Sequence, residues 1–225
     1  MSGDVEVEVK LGVTDPDAIR QLIEQAEPAS LAGFEAAGPL HEDAILDRYF
    51  DTADGRLEAA GARARVRTGV GAPLLAIKWH GVDTGRVTAR RELEGPAGAG
   101  LDLAGWPDSA ARRELERLTR GEPIVEIARL RQRRLARLIR RGATSVELSL
   151  DALEALAGED LAATRNELEA ELKAGGAGPL HELAAVLASL SATGPATGSK
   201  LGFALGALRA PGSGPAGPAP RRDPG

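Results

Sequence analysis

The run Val5-Glu6-Val7-Glu8-Val9-Lys10-Leu11 alternates an apolar with a charged side chain at every step. A β-strand turns successive side chains to opposite faces, so Glu6, Glu8 and Lys10 share one face and the valines and Leu11 the other. The same pattern recurs outward from this stretch. ARARVRT sets Arg63, Arg65 and Arg67 on one face, and LLAIKW turns Lys78 away from Ile77 and Trp79. VTARRELEG gives Arg90, Glu92 and Glu94 a shared face, TSVELSLD alternates Glu147, Ser149 and Asp151 with Val146, Leu148 and Leu150, and NELEAELK aligns Glu167, Glu169, Glu171 and Lys173. HEDAILDRYFDT reads as a strand ending in a polar turn at Asp51 to Gly55, and the basic segment from Ile124 to Ile139 aligns Arg129, Arg131 and Arg133 when phased as a strand.

Helices punctuate these strands. Asp15 is placed to cap one, with Pro16 at its first position and Ile19, Leu22, Ile23 and Ala26 as its apolar stripe. A helical turn is expected around Leu57, a helix from about Asp108 to Thr119 with Asp108 as cap, and another from Leu180 to Leu190, before a short last segment, GSKLGFAL, that carries Lys200. An open sheet would point the charged faces at water and pack the apolar faces on helices. Against that reading, acidic and basic triplets occupy different strands, and like charges side by side are destabilising unless something of opposite sign lies between them. These details point to the alternative, a closed barrel covered on the outside by helices and charged inside as a tunnel, and alternation alone leaves the open sheet standing beside it.

Composition narrows the chemistry. The chain has 225 residues, enough for one barrel domain, with a net charge of -5 and no cysteine. A thiolate metal site and a disulfide framework are excluded, and any metal must be held by oxygen ligands or by histidine. His41, His80 and His181 are scattered without ligand spacing and read as surface or strand-end residues. Trp79 and Trp106 read as packing anchors. No apolar run approaches the roughly 20 residues that span a bilayer, and no secretory leader is visible at the start, so no membrane association and a cytoplasmic location are expected. The arginine-rich stretch RLRQRRLARLIRR is a conceivable nucleic-acid surface, but it lacks interleaved aromatics and sits in an acidic chain. Residues 1–209 are expected to form the domain, and residues 210–225, rich in Pro and Gly, a linker or disordered tail.

Inward lysines and arginines suit the oxygens of a triphosphate, which accept charge-assisted hydrogen bonds. Two glutamates at i and i+2 on a strand suit a hard divalent cation. In order along the chain, E-x-E-x-K (Glu6 to Lys10), D-x-Y-F-D-T (Asp47 to Thr52), R-x-R (Arg65, Arg67), Lys78, R-x-E-x-E (Arg90 to Glu94), VELSLD through Asp151, E-x-E-x-E-x-K (Glu167 to Lys173) and Ser199-Lys200 resemble the CYTH family of triphosphate tunnel metalloenzymes. The resemblance spans nearly the whole folded region.

That resemblance implies an α+β fold, a closed antiparallel β-barrel of about eight strands forming a charged tunnel with helices packed outside, and a site, residue by residue. Glu6, Glu8, Asp151, Glu169 and Glu171 are implied as carboxylates for Mg²⁺ or Mn²⁺. Lys10, Arg65, Arg67, Lys78, Arg90 and Lys200 are implied as phosphate ligands, with Lys10, Arg65 and Arg67 as the catalytic cations. Arg131 and Arg133 are both plausible phosphate contacts on the basic strand. Glu147 and Glu167 are inward by phase, and Arg63 is expected at the barrel mouth or in a salt bridge. The activity expected is metal-dependent hydrolysis of inorganic triphosphate by metal-activated water, because aromatic residues for a nucleobase or thiazolium pocket are scarce. Thiamine triphosphatase, adenylyl cyclase and a non-catalytic polyphosphate-binding module are the alternatives, and the resemblance adds a possible helical CHAD-type partner.

Overall fold

A computed structural model describes residues 5–209; the stretch 210–225, read above as a linker or tail, lies outside the described residues. In chain order the elements are β1 (Val5–Val13), α1 (Pro16–Gln25), β2 (Glu35–Thr52), α2 (Arg56–Ala59), β3 (Ala62–Thr68), β4 (Leu74–Trp79), β5 (Val82–Thr84), β6 (Val87–Pro96), α3 (Ala110–Thr119), β7 (Ile124–Arg141), β8 (Thr144–Ala157), β9 (Asp160–Ala174), α4 (Ala177–Ser189), β10 (Thr193–Pro195) and α5 (Lys200–Arg209).

Eight strands form a ring in the order β1-β9-β8-β7-β2-β3-β4-β6, and β6 pairs back onto β1 to close it. Every pairing is antiparallel. Closure removes the free edges that an open sheet would expose. The short strands β5 and β10 hang on β6 and β1 outside the ring. The tight connections β7-β8 and β8-β9 turn at Gly142 (φ 58) and Gly158 (φ 66), backbone angles that a side chain disfavours.

The predicted alternation becomes an inside and an outside. On the outer face, Val9, Leu11, Leu148, Leu150, Leu168 and Ala170 pack under Ile19 and Ile23 of α1 and Leu180, Leu183 and Leu187 of α4. A second outer cluster joins Ala62, Ala64, Val66, Leu75 and Ile77 to Leu57 of α2, to Ala111 and Leu115 of α3, and to Trp106. Each buried Leu or Ile in these layers contributes roughly 1.5–3 kcal/mol through apolar area removed from water. Trp79 lies partly buried at the rim of this cluster with the Arg91 guanidinium 4.1 Å above its ring.

α1 begins as its sequence predicts, with the Asp15 side chain accepting a hydrogen bond from the Ala18 amide at 3.1 Å. α3 differs: its cap is Ser109, whose hydroxyl accepts from the Arg112 amide at 3.0 Å, and Asp108 instead pairs with Arg113 at 2.6 Å. The terminal GSKLGFAL segment contributes most of a helix, α5. It packs on the inner face of the ring, where Ala204 meets Tyr49, Ala128, Leu130, Leu153 and Ala155. The interior therefore has two halves: an apolar end filled by α5 and a charged end that holds the site. Among the described residues, no helix is long and apolar enough to cross a membrane.

Candidate functional site

At the charged end, the inner faces of the strands and the start of α5 enclose a cavity of about 220 Å³. β1 contributes Glu6, Glu8 and Lys10, β3 contributes Arg63, Arg65 and Arg67, β4 contributes Lys78, and β6 contributes Arg90, Glu92 and Glu94. The opposite wall carries Arg134 of β7, Glu147 of β8, and Glu169, Glu171 and Lys173 of β9, with Ser199, Lys200 and Leu201 entering at the start of α5. Among the described residues, Tyr49 and Leu201 are the only lining residues with sizeable apolar bulk.

The charges are arranged as two connected networks. In the first, Glu6 accepts from Lys78 Nζ at 2.8 Å and from Arg90 Nε at 2.5 Å, and Arg90 also donates to Glu8 at 2.6 Å. In the second, Lys10 lies 2.9 Å from Glu169, while Arg134 forks onto Asp151 with two bonds of 2.7 Å and reaches Glu169 at 2.8 Å. Lys200 closes that network with bonds of 2.5 Å to Asp151 and 3.1 Å to Glu169.

These contacts divide the carboxyls into two kinds. Burial works against ionising Glu6, but Lys78 and Arg90 overcome it and hold the group at about 2. Burial likewise opposes the ionised form of Glu169, and Lys10, Lys200 and Arg134 pull it well below the usual carboxylate range. Glu8 goes the other way: burial raises it, and the like charges of Glu169 and Glu6 add to that despite Lys10 and Arg90. Burial also raises Glu92 and Glu167.

A divalent cation is consistent with this donor set. Glu8 stands opposite Glu171 across the β1-β9 pair, and Glu171 stands opposite Glu147 across β9-β8, so three carboxylates lie side by side on adjacent strands. Such a row is unfavourable without a positive charge among its members, and its donors are all oxygen, as Mg²⁺ or Mn²⁺ prefers. Among the described residues no three acidic or histidine side chains are drawn together into a preformed cation cage. The three are instead held by cations, Glu8 by Arg90, Glu147 by Arg134 and Glu171 by Lys173.

Of the residues singled out from the sequence, the structure brings Glu6, Glu8, Glu169, Glu171, Lys10, Arg65, Arg67, Lys78, Arg90 and Lys200 around one cavity. Asp151 does not line the cavity: it is fully buried beside it, with both oxygens taken by Arg134 and one of them also by Lys200. Arg131 and Arg133 are corrected in orientation, for both are exposed on the outer face and Arg131 pairs with Glu154 at 3.0 Å. Pairing explains this. Arg134 is the β7 residue opposite Asp151, and side chains in register share a face, so its odd-numbered neighbours must point out.

Arg134 was missed by sequence reasoning because β7 carries arginines in both phases. Glu92 and Glu94 were legible as inward residues, and Arg63 lines the cavity as its phase implied. Glu167 is buried and pairs with Arg165 at 2.5 Å instead of lining the cavity. Asp47 carries the signal D-x-Y-F-D-T, yet its partners, Arg65 and Arg67, were identifiable only once β2 and β3 were paired.

The chain from residue 4 to residue 201 matches the family model of the CYTH domain. Among solved structures, an adenylyl cyclase candidate from Hippeastrum, described as revealing a dominant triphosphatase activity, superposes with a TM-score of 0.58 at 18% identity, covering 88% of this chain and 94% of that one. An adenylate cyclase candidate from Bacillus halodurans gives a TM-score of 0.55 at 17% identity, covering 88% of this chain and 97% of that one. No curated protein matches the chain. At these identities the structural likeness carries the fold alone.

Proposed function

The chain belongs to the CYTH domain family, and from that premise we propose that it hydrolyses inorganic triphosphate to pyrophosphate and phosphate, with Mg²⁺ or Mn²⁺ as cofactor. One observation supports this substrate above the others. Apart from Tyr49 and Leu201 the cavity wall is charged or hydroxylic, so a base or a thiazolium ring has little to stack on, whereas phosphate oxygens would meet cations from six strands and α5. The volume of about 220 Å³ is also below the roughly 300–1,000 Å³ of clefts that take drug-sized organic ligands.

Hydrolysis of a phosphoanhydride asks mainly for positioning and charge stabilisation. Arg65, Arg67 and Lys78 on one side and Lys10, Arg134 and Lys200 on the other would grip successive phosphoryl groups, since guanidinium forks match phosphate geometry and ammonium groups add point charge. The water oxygen would bond to the terminal phosphorus as the bond to the bridging oxygen breaks, pyrophosphate leaving with that oxygen and the water's proton passing to solvent. A cation held by Glu6, Glu8, Glu169 and Glu171 would neutralise phosphate charge and lower the pKa of the attacking water. The ion pairs joining those carboxylates to Lys10, Arg90 and Lys78 would be exchanged for contacts to cation and phosphate.

Phosphate release from tripolyphosphate, thiamine triphosphate and ATP, each with Mn²⁺ or Mg²⁺, tests the proposal. Tripolyphosphate is expected to be turned over with the highest kcat/KM. Preference for thiamine triphosphate, or formation of cyclic AMP from ATP, would replace this activity with another. Tight binding of polyphosphate without phosphate release would make the domain a binding module.

A further inference from the structure

Asp47 has no exposed surface and does not line the cavity, yet its carboxylate holds two of the cations that do. Arg67 forks onto it, Nε donating to Oδ1 and Nη2 to Oδ2, both at 2.9 Å, and Arg65 Nη1 donates to Oδ2 at 3.3 Å. The register of β2 and β3 builds this arrangement: Asp47 is directly opposite Arg67, and Tyr49, two residues on, is opposite Arg65. All four therefore face inward. Among the described residues, Asp47 is the only carboxylate within ion-pair distance of either arginine.

We infer that Asp47 is a positioning residue for triphosphate recognition, orienting Arg65 and Arg67 from behind so that their free N–H edges point into the cavity; this rests on the triphosphate reading above. A guanidinium is planar with its donors in a rigid fork, so anchoring one edge of Arg67 sets the direction of the other. Arg65 has its Nε buried without a hydrogen-bond partner, an arrangement that leaves a donor in reserve. Two guanidinium groups at i and i+2 on one strand face repel each other, and the Asp47 charge between them offsets that repulsion. Without it, the arginines would turn toward Glu92 and Glu94 on β6, the strand beyond β4 on the same side of the cavity, and the phosphate-binding edge would be lost. A buried carboxylate here lowers the net positive charge of the wall by one, so its benefit to binding is geometric.

Calorimetric titration of tripolyphosphate in EDTA, at 10 °C, separates this from a purely structural role because it needs neither metal nor turnover. Wild type, Asp47→Asn, Arg67→Ala and the double variant form a cycle, with Asp47→Glu as a variant that keeps the charge. Asp47→Asn is expected to weaken binding about tenfold, about 1.4 kcal/mol, with Asp47→Glu recovering part of the loss. In the Arg67→Ala background the same substitution is expected to have a clearly smaller effect, since its main partner is gone. Wild-type affinity in Asp47→Asn, or losses in the double variant that simply multiply, would overturn the inference while the triphosphate reading stands. A wild-type protein that does not bind tripolyphosphate would overturn that reading and the inference with it.

Discussion

Glu8→Gln removes one negative charge from the cavity while keeping the side chain's shape, and the structure indicates what should follow. Glu8 is only 5% exposed and accepts from Arg90 at 2.6 Å. The carboxamide oxygen can keep that bond, giving up its charge assistance at a cost of about 1 kcal/mol. Against this, burial and the neighbouring Glu169 and Glu6 already disfavour the Glu8 carboxylate, so neutralising it relieves strain in the cation-free protein. Arg90 is not orphaned, because Glu6 still accepts from its Nε. The two effects nearly cancel, and the melting temperature in EDTA should move by no more than about 4 °C. Turnover should respond very differently. In the proposed activity Glu8 would be one of the oxygen donors for the divalent cation, and loss of groups that merely support a metal ligand already costs about 10–100-fold. At limiting Mn²⁺, kcat/KM for tripolyphosphate should therefore fall by at least about 100-fold, about 2.7 kcal/mol. Phosphate release across a Mn²⁺ series, beside thermal unfolding with and without the metal, reads both quantities. Activity within about threefold of wild type would refute the cation role, and a melting temperature lowered by more than about 10 °C would show that Glu8 matters for the fold instead.

Two further outcomes are expected. Arg134→Ala leaves Asp151 and Glu169 with fewer cations. It should destabilise the protein by about 3 kcal/mol and raise KM about tenfold or more, whereas Arg131→Ala and Arg133→Ala, on the exposed outer face, should change stability by no more than about 0.5 kcal/mol; equal damage from Arg133→Ala would contradict the inward phase of β7. For acid stability, burial opposes ionisation of Asp47, but Arg65 and Arg67 more than compensate and lower the group from 3.8 to about 2. A depressed carboxylate stabilises the fold above its unfolded value and loses that contribution as pH falls through its folded one, so about 2 kcal/mol should fade between about pH 4 and about pH 2. Urea unfolding in EDTA should show the stability gap between wild type and Asp47→Asn narrowing over that interval, and a constant gap would exclude the Asp47 ion pairs as its source.

Much of the architecture was legible because a strand's period of two converts alternation directly into faces. Glu6, Glu8, Lys10, Arg65, Lys78, Glu169 and Glu171 are each flanked by apolar residues, so their inward direction follows from the need to bury those neighbours, and Arg67 and Arg90 share their phase along the strand. The Asp15-Pro16 signal was equally local and survived intact. β7 was different. It carries arginines at 129, 131 and 133 and again at 134, so neither phase is purely apolar and periodicity cannot choose between them. Pairing with β8 chooses, by setting Arg134 opposite Asp151.

By itself, the order of residues along the chain determined which side chains share a face, where helices start, and that opposite charges would have to be gathered together. Only tertiary structure decided which carboxylates reach the cavity and which stand behind it holding cations, as Asp47 and Asp151 do. It also decided that α5 fills one end of the ring and brings Lys200 to Asp151 and Glu169. The physical reason is that alternation is a property of one strand, whereas depth and partnership depend on the register between strands and on contacts between residues far apart in the chain.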